Sequence, residues 1–300
     1  MRLHLQILSA STFVLMLLGG WVHTVGASLA CPDWPLCYGQ LLPPMRGGIL
    51  YEHGHRLLAT GVGLLTLALA WRLRRAEAGL RAWALVGVVL VLLQGMLGGL
   101  TVLLRLPPAV SILHLSASML FFAWTVWMQF RAAPAYAAPA LAPQMLRLAL
   151  LGTGLLYLQI ILGAVVRHAH ASLSCGLEVF TCAGQWLPQV GVQWLQTSHR
   201  LLALVVLVLL VRATVPGMKL ARQRGWRGLR RLGLSIHLGL LLQIVIGVLT
   251  LRTAVNLHVV TTHLALGALL WAGMVAFTCA LGPRGGAWRA GGSATAHHAG

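Results

Sequence analysis

Apolar runs of about twenty residues, each closed by a short polar or basic stretch, recur along the chain. They fall at 6–26, 51–71, 82–104, 109–131, 146–167, 194–213, 230–251 and 256–279. A helix of that length crosses a hydrocarbon core, and none of the runs alternates polar with apolar residues as a barrel strand does. The pattern predicts an all-α membrane protein of eight transmembrane helices, each satisfying its own backbone polar groups. Composition points the same way: 58% of residues are hydrophobic, 9% are charged and mean hydropathy is +0.83, more apolar side chain than a soluble core could absorb.

The formal charge of +18 raises the question of nucleic acid. Its distribution answers it. With the N-terminus in the cytoplasm, only Arg46, Arg56, Arg105, Arg167, Arg200 and Arg252 of the 22 basic residues fall outside, and the rest fall inside. That bias sets an N-in/C-in topology. Anionic lipid headgroups are partner enough for such a surface, and no nucleic acid is implied.

The first run could pass for a cleaved signal peptide, with a charged start, an apolar middle and small residues at Ser28 and Ala30. A repeat argues otherwise. The end of the fifth run, "HAHASLSC", matches "TVGASLAC" after the first at Ala27/Ala171, Ser28/Ser172, Leu29/Leu173 and Cys31/Cys175, and an internal helix is not a signal peptide. The first run is therefore expected to stay as a mature helix.

The match belongs to a duplication through the whole chain. Cys31 and Cys175 are 144 apart, as are His55 and His199, and "LQGMLGGLTV" at 93–102 reappears as "LQIVIGVLTL" at 242–251. From Gln94 to His114 is 20 residues, and so is Gln243 to His263. Two tandem four-helix bundles of like orientation follow, a parallel internal repeat. The expected divisions are an N-terminal half at 1–131, a cytoplasmic linker at 132–145 containing "AAPAYAAPALAP", a C-terminal half at 146–280 and a disordered Gly/Ala-rich tail at 281–300.

Within this frame His55, His114, His199 and His263 lie about one turn inside the outer ends of helices 2, 4, 6 and 8. A single histidine near a membrane helix end is commonly just an interfacial polar group. Four at equivalent depths of two repeats instead suggest a bis-histidine site in the core of each bundle. Zinc or di-iron would need cysteine or carboxylates in the spans, and Glu52 is the one carboxylate in that layer. Paired imidazoles in an apolar cavity suit haem iron. No Cys-x-x-Cys-His is present, which excludes covalent c-type attachment.

Arg56 and Arg200 directly follow two of the histidines, where a guanidinium could pair with haem propionates or simply snorkel to the headgroups. His53, His168, His170 and His258 sit at outer helix ends without repeat partners and read as interfacial; only register decides His263 over His258. His237 reads as structural, and His297 and His298 belong to the tail. Cys31/Cys37 and Cys175/Cys182 form two outer-face pairs, expected as local disulfides in an oxidising compartment, with copper binding or thiol exchange as the alternative. Cys279 stands apart. Trp34, Trp186 and Trp226 fit an interfacial aromatic belt.

Taken in order, Glu-x-x-His-Arg opening helix 2, His-Arg opening helix 6, one outer histidine in helices 4 and 8 and a cysteine pair after helix 1 resemble the bacterial haem A synthase family over about residues 5 to 280. The resemblance implies oxidation of the C8 methyl of haem O to a formyl group, giving the haem A of terminal oxidases. It further implies that Glu52 is the catalytic acid, that His55 and His114 hold the substrate haem O, and that His199 and His263 hold a resident haem b. Haem O synthase is the implied partner. The electron donor, a quinol or a redox protein, is not indicated. His53 inside the Glu-x-x-His motif and the second cysteine pair depart from the family pattern.

That chemistry suits one asymmetry between the halves. The residue three before the histidine is Glu52 in the first half and Gln196 in the second. A carboxylate one turn from a ligand shares its face and could move protons as a general acid/base; alternatively it is an interfacial acid paired with Arg56 or Arg46. A di-haem quinol or electron-transfer cytochrome and a haem-transfer or oxidase-assembly protein remain the rival readings. A pure electron wire has no need for a carboxylate in one half only.

Overall fold

A computed structural model describes residues 1–133 and 142–282. Among them eight helices follow one another: α1 (Arg2–Thr24), α2 (Gly47–Arg72), α3 (Ala78–Leu103), α4 (Pro108–Arg131), α5 (Pro143–His168), α6 (Gly191–Gln223), α7 (Arg227–Arg252) and α8 (Leu257–Leu281). Most of the expected linker and almost all of the expected tail lie outside the described residues. Starts are set locally. Pro108 and Pro143 open α4 and α5, where the missing N–H costs nothing. The Asn256 side chain accepts from the His258 N–H at 3.0 Å to cap α8.

Seven helices are long and apolar enough to cross a membrane; α2 is not among them. It is as long as α3, but Glu52, His53, His55 and Arg56 crowd its first turns and lower its hydropathy. The helix that misses the criterion is thus the one carrying the most polar chemistry. α6 differs from expectation in the other direction: it runs past 213, through Pro216, to Gln223. Proline removes one helical hydrogen bond, but Thr214 back-bonds to the Leu210 carbonyl at 2.7 Å, and Gly217 lies so close to Phe277 that a β-carbon there would meet the ring at 2.8 Å. Packing on α8 carries the helix on. His237 meets Thr214 Oγ1 at 2.7 Å, a structural role as expected.

α1 packs on α2, α2 on α3, α3 on α4 and α4 back on α1; α5, α6, α7 and α8 repeat the circuit. α4 and α8 join the two circuits, helped by α1 against α8 and α4 against α5. Burial follows: half of the apolar window of α8 is buried, against 17% for α3 and α7, whose leucines and valines face outward. Met119, Phe122, Trp271, Met274 and Phe277 form the seam. Across it Trp271 Nε1 donates to the Met119 carbonyl at 2.8 Å, and within the second circuit Thr153 meets Thr278 at 2.9 Å. An unpaired donor at this depth would be costly.

Candidate functional site

The loop after α1 covers the start of α2. Cys31 and Cys37 are joined, as are Cys175 and Cys182 after α5, so both expected local disulfides are present. Each second cysteine pairs with a glutamine, Cys37 with Gln40 and Cys182 with Gln185, around a turn whose two central residues have positive φ: Tyr38 and Gly39, then Ala183 and Gly184. An acid clamps each turn. Asp33 accepts from the Gly39 and Tyr38 N–H groups at 2.8 and 2.6 Å, and Glu178 accepts from Thr181 Oγ1 and the Gly184 N–H.

The Gly39 hydrogen bond, then that from Tyr38, holds the Asp33 carboxyl below its usual range. A depressed carboxyl stabilises the loop at every pH above the ordinary carboxylate range and loses that contribution as pH falls through the lower folded value. Asp33→Asn should therefore loosen the loop already at neutral pH, seen as several-fold faster reduction of Cys31–Cys37 by a phosphine. An unchanged rate would mean the clamp is idle.

Glu52 is 4% exposed beneath this loop. Its Oε2 accepts from the Cys31 N–H at 2.8 Å, and its Oε1 takes Arg56 Nη2 at 2.6 Å. Arg56 also donates to the Asp33, Leu36 and Cys31 carbonyls, so its hydrogens are engaged by the loop and the acid. The ion pair that the plainer reading of Glu52 required is therefore present, and together with the Cys31 N–H it engages both carboxylate oxygens. Arg200 is different. It donates to the Val179 and Thr181 carbonyls at 3.3 and 3.0 Å, while Nε and Nη2 are buried without a partner. Gln196 stands where Arg56 has an acid, and the carboxylate near Arg200 is instead Glu178, which bonds Thr181 beside it.

His55 and His114 both belong to the first circuit of helices, and His199 and His263 to the second. Each ring lies against a glycine on the preceding helix. A β-carbon on Gly19, Gly98, Gly163 or Gly247 would meet Cε1 of His55, His114, His199 or His263 at 2.9, 3.1, 3.0 and 3.2 Å respectively. All four imidazoles are half-buried rather than sealed. His55 Nδ1 and His263 Nδ1 are buried without a partner.

Residues not singled out by the sequence complete the sites. Gln94, Gln159 and Gln243 donate from Nε2 to the main-chain carbonyls of His114, His199 and His263 at 3.0, 3.0 and 3.1 Å. The same amides lie 3.1, 3.1 and 3.3 Å from a ring nitrogen. The register held the signal: Gly163 and Gly19 are 144 apart, while Gln94 and Gln243 sit inside the repeated decapeptide. Trp34, expected in an interfacial belt, stays 40% exposed and also lays its ring on Gly99 of α3, where no β-carbon would fit between them.

The remaining histidines go elsewhere. His53 is 3% exposed and binds the Leu41 carbonyl at 2.8 Å beside the Cys31–Cys37 bridge. His168 stacks near His23, and His258 near Trp21, at 5.1 and 5.5 Å between ring centres.

Residues 47–275 match the model of the COX15-CtaA family, described as cytochrome oxidase assembly protein. The chain belongs to the haem A synthase family. Among its relatives are heme A synthases of Symbiobacterium thermophilum, 35% identical over 222 residues covering 68% of this chain and 72% of that one, and of Bacillus pumilus, 31% identical over 236 residues covering 73% and 76%. A heme A synthase of Geobacillus kaustophilus is 28% identical over 273 residues, 85% of this chain and 84% of its own. Membership and seven span-length helices make it a multi-pass membrane protein of haem A biosynthesis.

The site residues fit haem on their own chemistry. Paired imidazoles seated on glycines leave flat, half-open rings. Two ring nitrogens and two guanidinium nitrogens are buried and unmatched. No cysteine thiol or second carboxylate competes for iron among these residues.

Proposed function

We propose that this chain converts haem O to haem A by oxidising the C8 methyl to a formyl group in two successive hydroxylations. The observation that carries the reading is the asymmetry between two otherwise matching histidine pairs: one has a buried carboxylate a helical turn away and the other a glutamine. In this reading the two helix circuits are tandem bundles of parallel orientation, N-in/C-in, with haem sites toward the outer face of the cell membrane. The half at 1–131 holds haem O between His55 and His114. The half at 146–280 holds a haem b between His199 and His263, with Arg200 matching a propionate.

Each hydroxylation uses one dioxygen, two electrons and two protons and releases one water; the second yields a geminal diol that loses water to the aldehyde. When bound, haem b supplies one-electron transfer. Glu52 supplies protons at Oε1 or Oε2 and assists loss of the diol's water, as a positioned acid/base can. Arg56 and the Cys31 N–H aim the carboxylate. The disulfide loop shields it from bulk water. The electron donor is a quinol or a redox protein, and haem O synthase is the supplier of substrate.

Cells making haem O but lacking another haem A synthase should yield extractable haem A under oxygen when this chain is supplied. Unchanged haem O and haem b alone would contradict the reading.

Seating can be tested separately. Gly163→Val puts methyl groups where even a β-carbon stands 3.0 Å from His199 Cε1, and overpacking of this kind costs about 1–3 kcal/mol. The purified variant should lose most of its C-terminal haem by pyridine haemochrome assay. Full haem content would show that the ring does not need the glycine.

A further inference from the structure

The two disulfide loops correspond, but the side chain that lies against the sulfurs differs between them. Moving 144 positions carries Cys31 onto Cys175 and His53 onto Thr197. Thr197 Oγ1 lies 3.7 Å from Cys175 Sγ. In the first half an imidazole takes that place: a ring nitrogen of His53 and the sulfurs of Cys31 and Cys37 all lie within 4.8 Å of one another. Two bonds of about 2.0–2.3 Å to a shared metal span nearly that distance.

His53 is set up as a ligand rather than as an interfacial group. It is 3% exposed, and its Nε2 donates to the Leu41 carbonyl at 2.8 Å. An imidazole that donates from Nε2 to a main-chain carbonyl carries its free lone pair on Nδ1, the arrangement that commonly orients a metal-bound histidine. His53 Nδ1 is buried and has no partner. The haem sites make no use of it.

We infer that, when its disulfide is reduced, the loop after α1 binds copper(I) through Cys31 Sγ, Cys37 Sγ and His53 Nδ1. A dithiol supplies the two electrons and two protons that open the sulfur–sulfur bond and leaves as its own disulfide; copper(I) then takes the place of the two thiol protons. Thiolates select soft ions, copper(I) and zinc among them. The donor count decides between the two. Zinc in a structural site takes four ligands, whereas three are offered here, both cysteines are fully buried, and both Glu52 oxygens are engaged by the Cys31 N–H and Arg56. Pro32, Trp34, Pro35 and Tyr38 of the bridged loop are exposed, which gives reductant and metal their way in. The metal restores the cross-link that reduction removes. The second pair, with a hydroxyl where the imidazole would be, lacks the third ligand.

The test uses the purified, haem-loaded protein without oxygen and does not depend on haem conversion. After reduction by a phosphine and its removal, copper(I) is titrated in competition with a chromophoric chelator, and the bound copper is characterised by X-ray absorption. The reduced wild type should hold one copper per chain against the chelator, in a shell of two sulfurs and one nitrogen; the unreduced protein should surrender it. Cys175→Ser with Cys182→Ser should keep this copper. His53→Thr, which writes in the residue of the second half, should weaken binding at least about 10-fold, since even groups that only support a ligand typically contribute that much. A wild-type shell of sulfur alone, equal retention without reduction, loss of the copper from the folded Cys175→Ser, Cys182→Ser variant, or undiminished affinity in His53→Thr would overturn the inference. If His53→Thr does not fold, as judged by its haem content, the wild-type shell decides.

Discussion

Glu52→Gln should stop formyl formation while both haems stay bound. The substitution writes into the first half what Gln196 already is in the second, so volume and burial are preserved. The new amide oxygen can still accept from the Cys31 N–H, and Arg56 keeps its three loop carbonyls, so the loop remains in place. The ability to exchange a proton is lost. Positioned acid/base groups contribute about 10²–10⁴-fold, so haem A yield should fall at least about 100-fold. The variant is expressed with a haem O source under oxygen, and extracted haems are separated and identified by mass. Haem A at the wild-type level would show that Glu52 only pairs with Arg56. Glu52→Asp, which keeps the acid but shortens its reach, should recover part of the yield.

His199→Ala should remove the resident haem and abolish conversion without emptying the N-terminal pocket. His199 has its own seat on Gly163 and its own amide in Gln159, and neither touches His55 or His114. Removing it also leaves the Arg200 guanidinium without the haem carboxylate that the proposal gives it. Haem content should drop to about half, with the loss confined to haem b, and the substrate should persist as unconverted haem O for want of electrons. Equal loss of both haems would contradict the division of labour between the halves.

Much of this was legible in the chain. Helix number and approximate limits follow from the apolar runs, because the bilayer requires a length that few soluble segments imitate. The overrun of α6 did not, since Pro216 is a local stop signal and the packing of Gly217 on Phe277 that overrides it is a contact between distant residues. The histidine pairs were visible because duplication repeats their depth. Their glutamines were only half visible: Gln94 and Gln243 sit in a repeated decapeptide, but Gln159 faces Leu15 across the repeat, and a broken match hides its partner. The contact of Trp34 with Gly99 was out of reach because sequence cannot show that the loop after α1 reaches α3. The Cys31 N–H bond to Glu52 was also out of reach, since it joins a loop main chain to a helix side chain.

The most direct measurement is the identity and stoichiometry of the haems extracted from the purified wild-type chain, resolved by mass. One haem b together with one haem O or haem A per chain is expected, the second shifting from haem O to haem A as oxygen supply rises. Two haem b per chain, with no haem O or haem A under any oxygen supply, would contradict the proposed synthase and leave an electron-transfer cytochrome in its place.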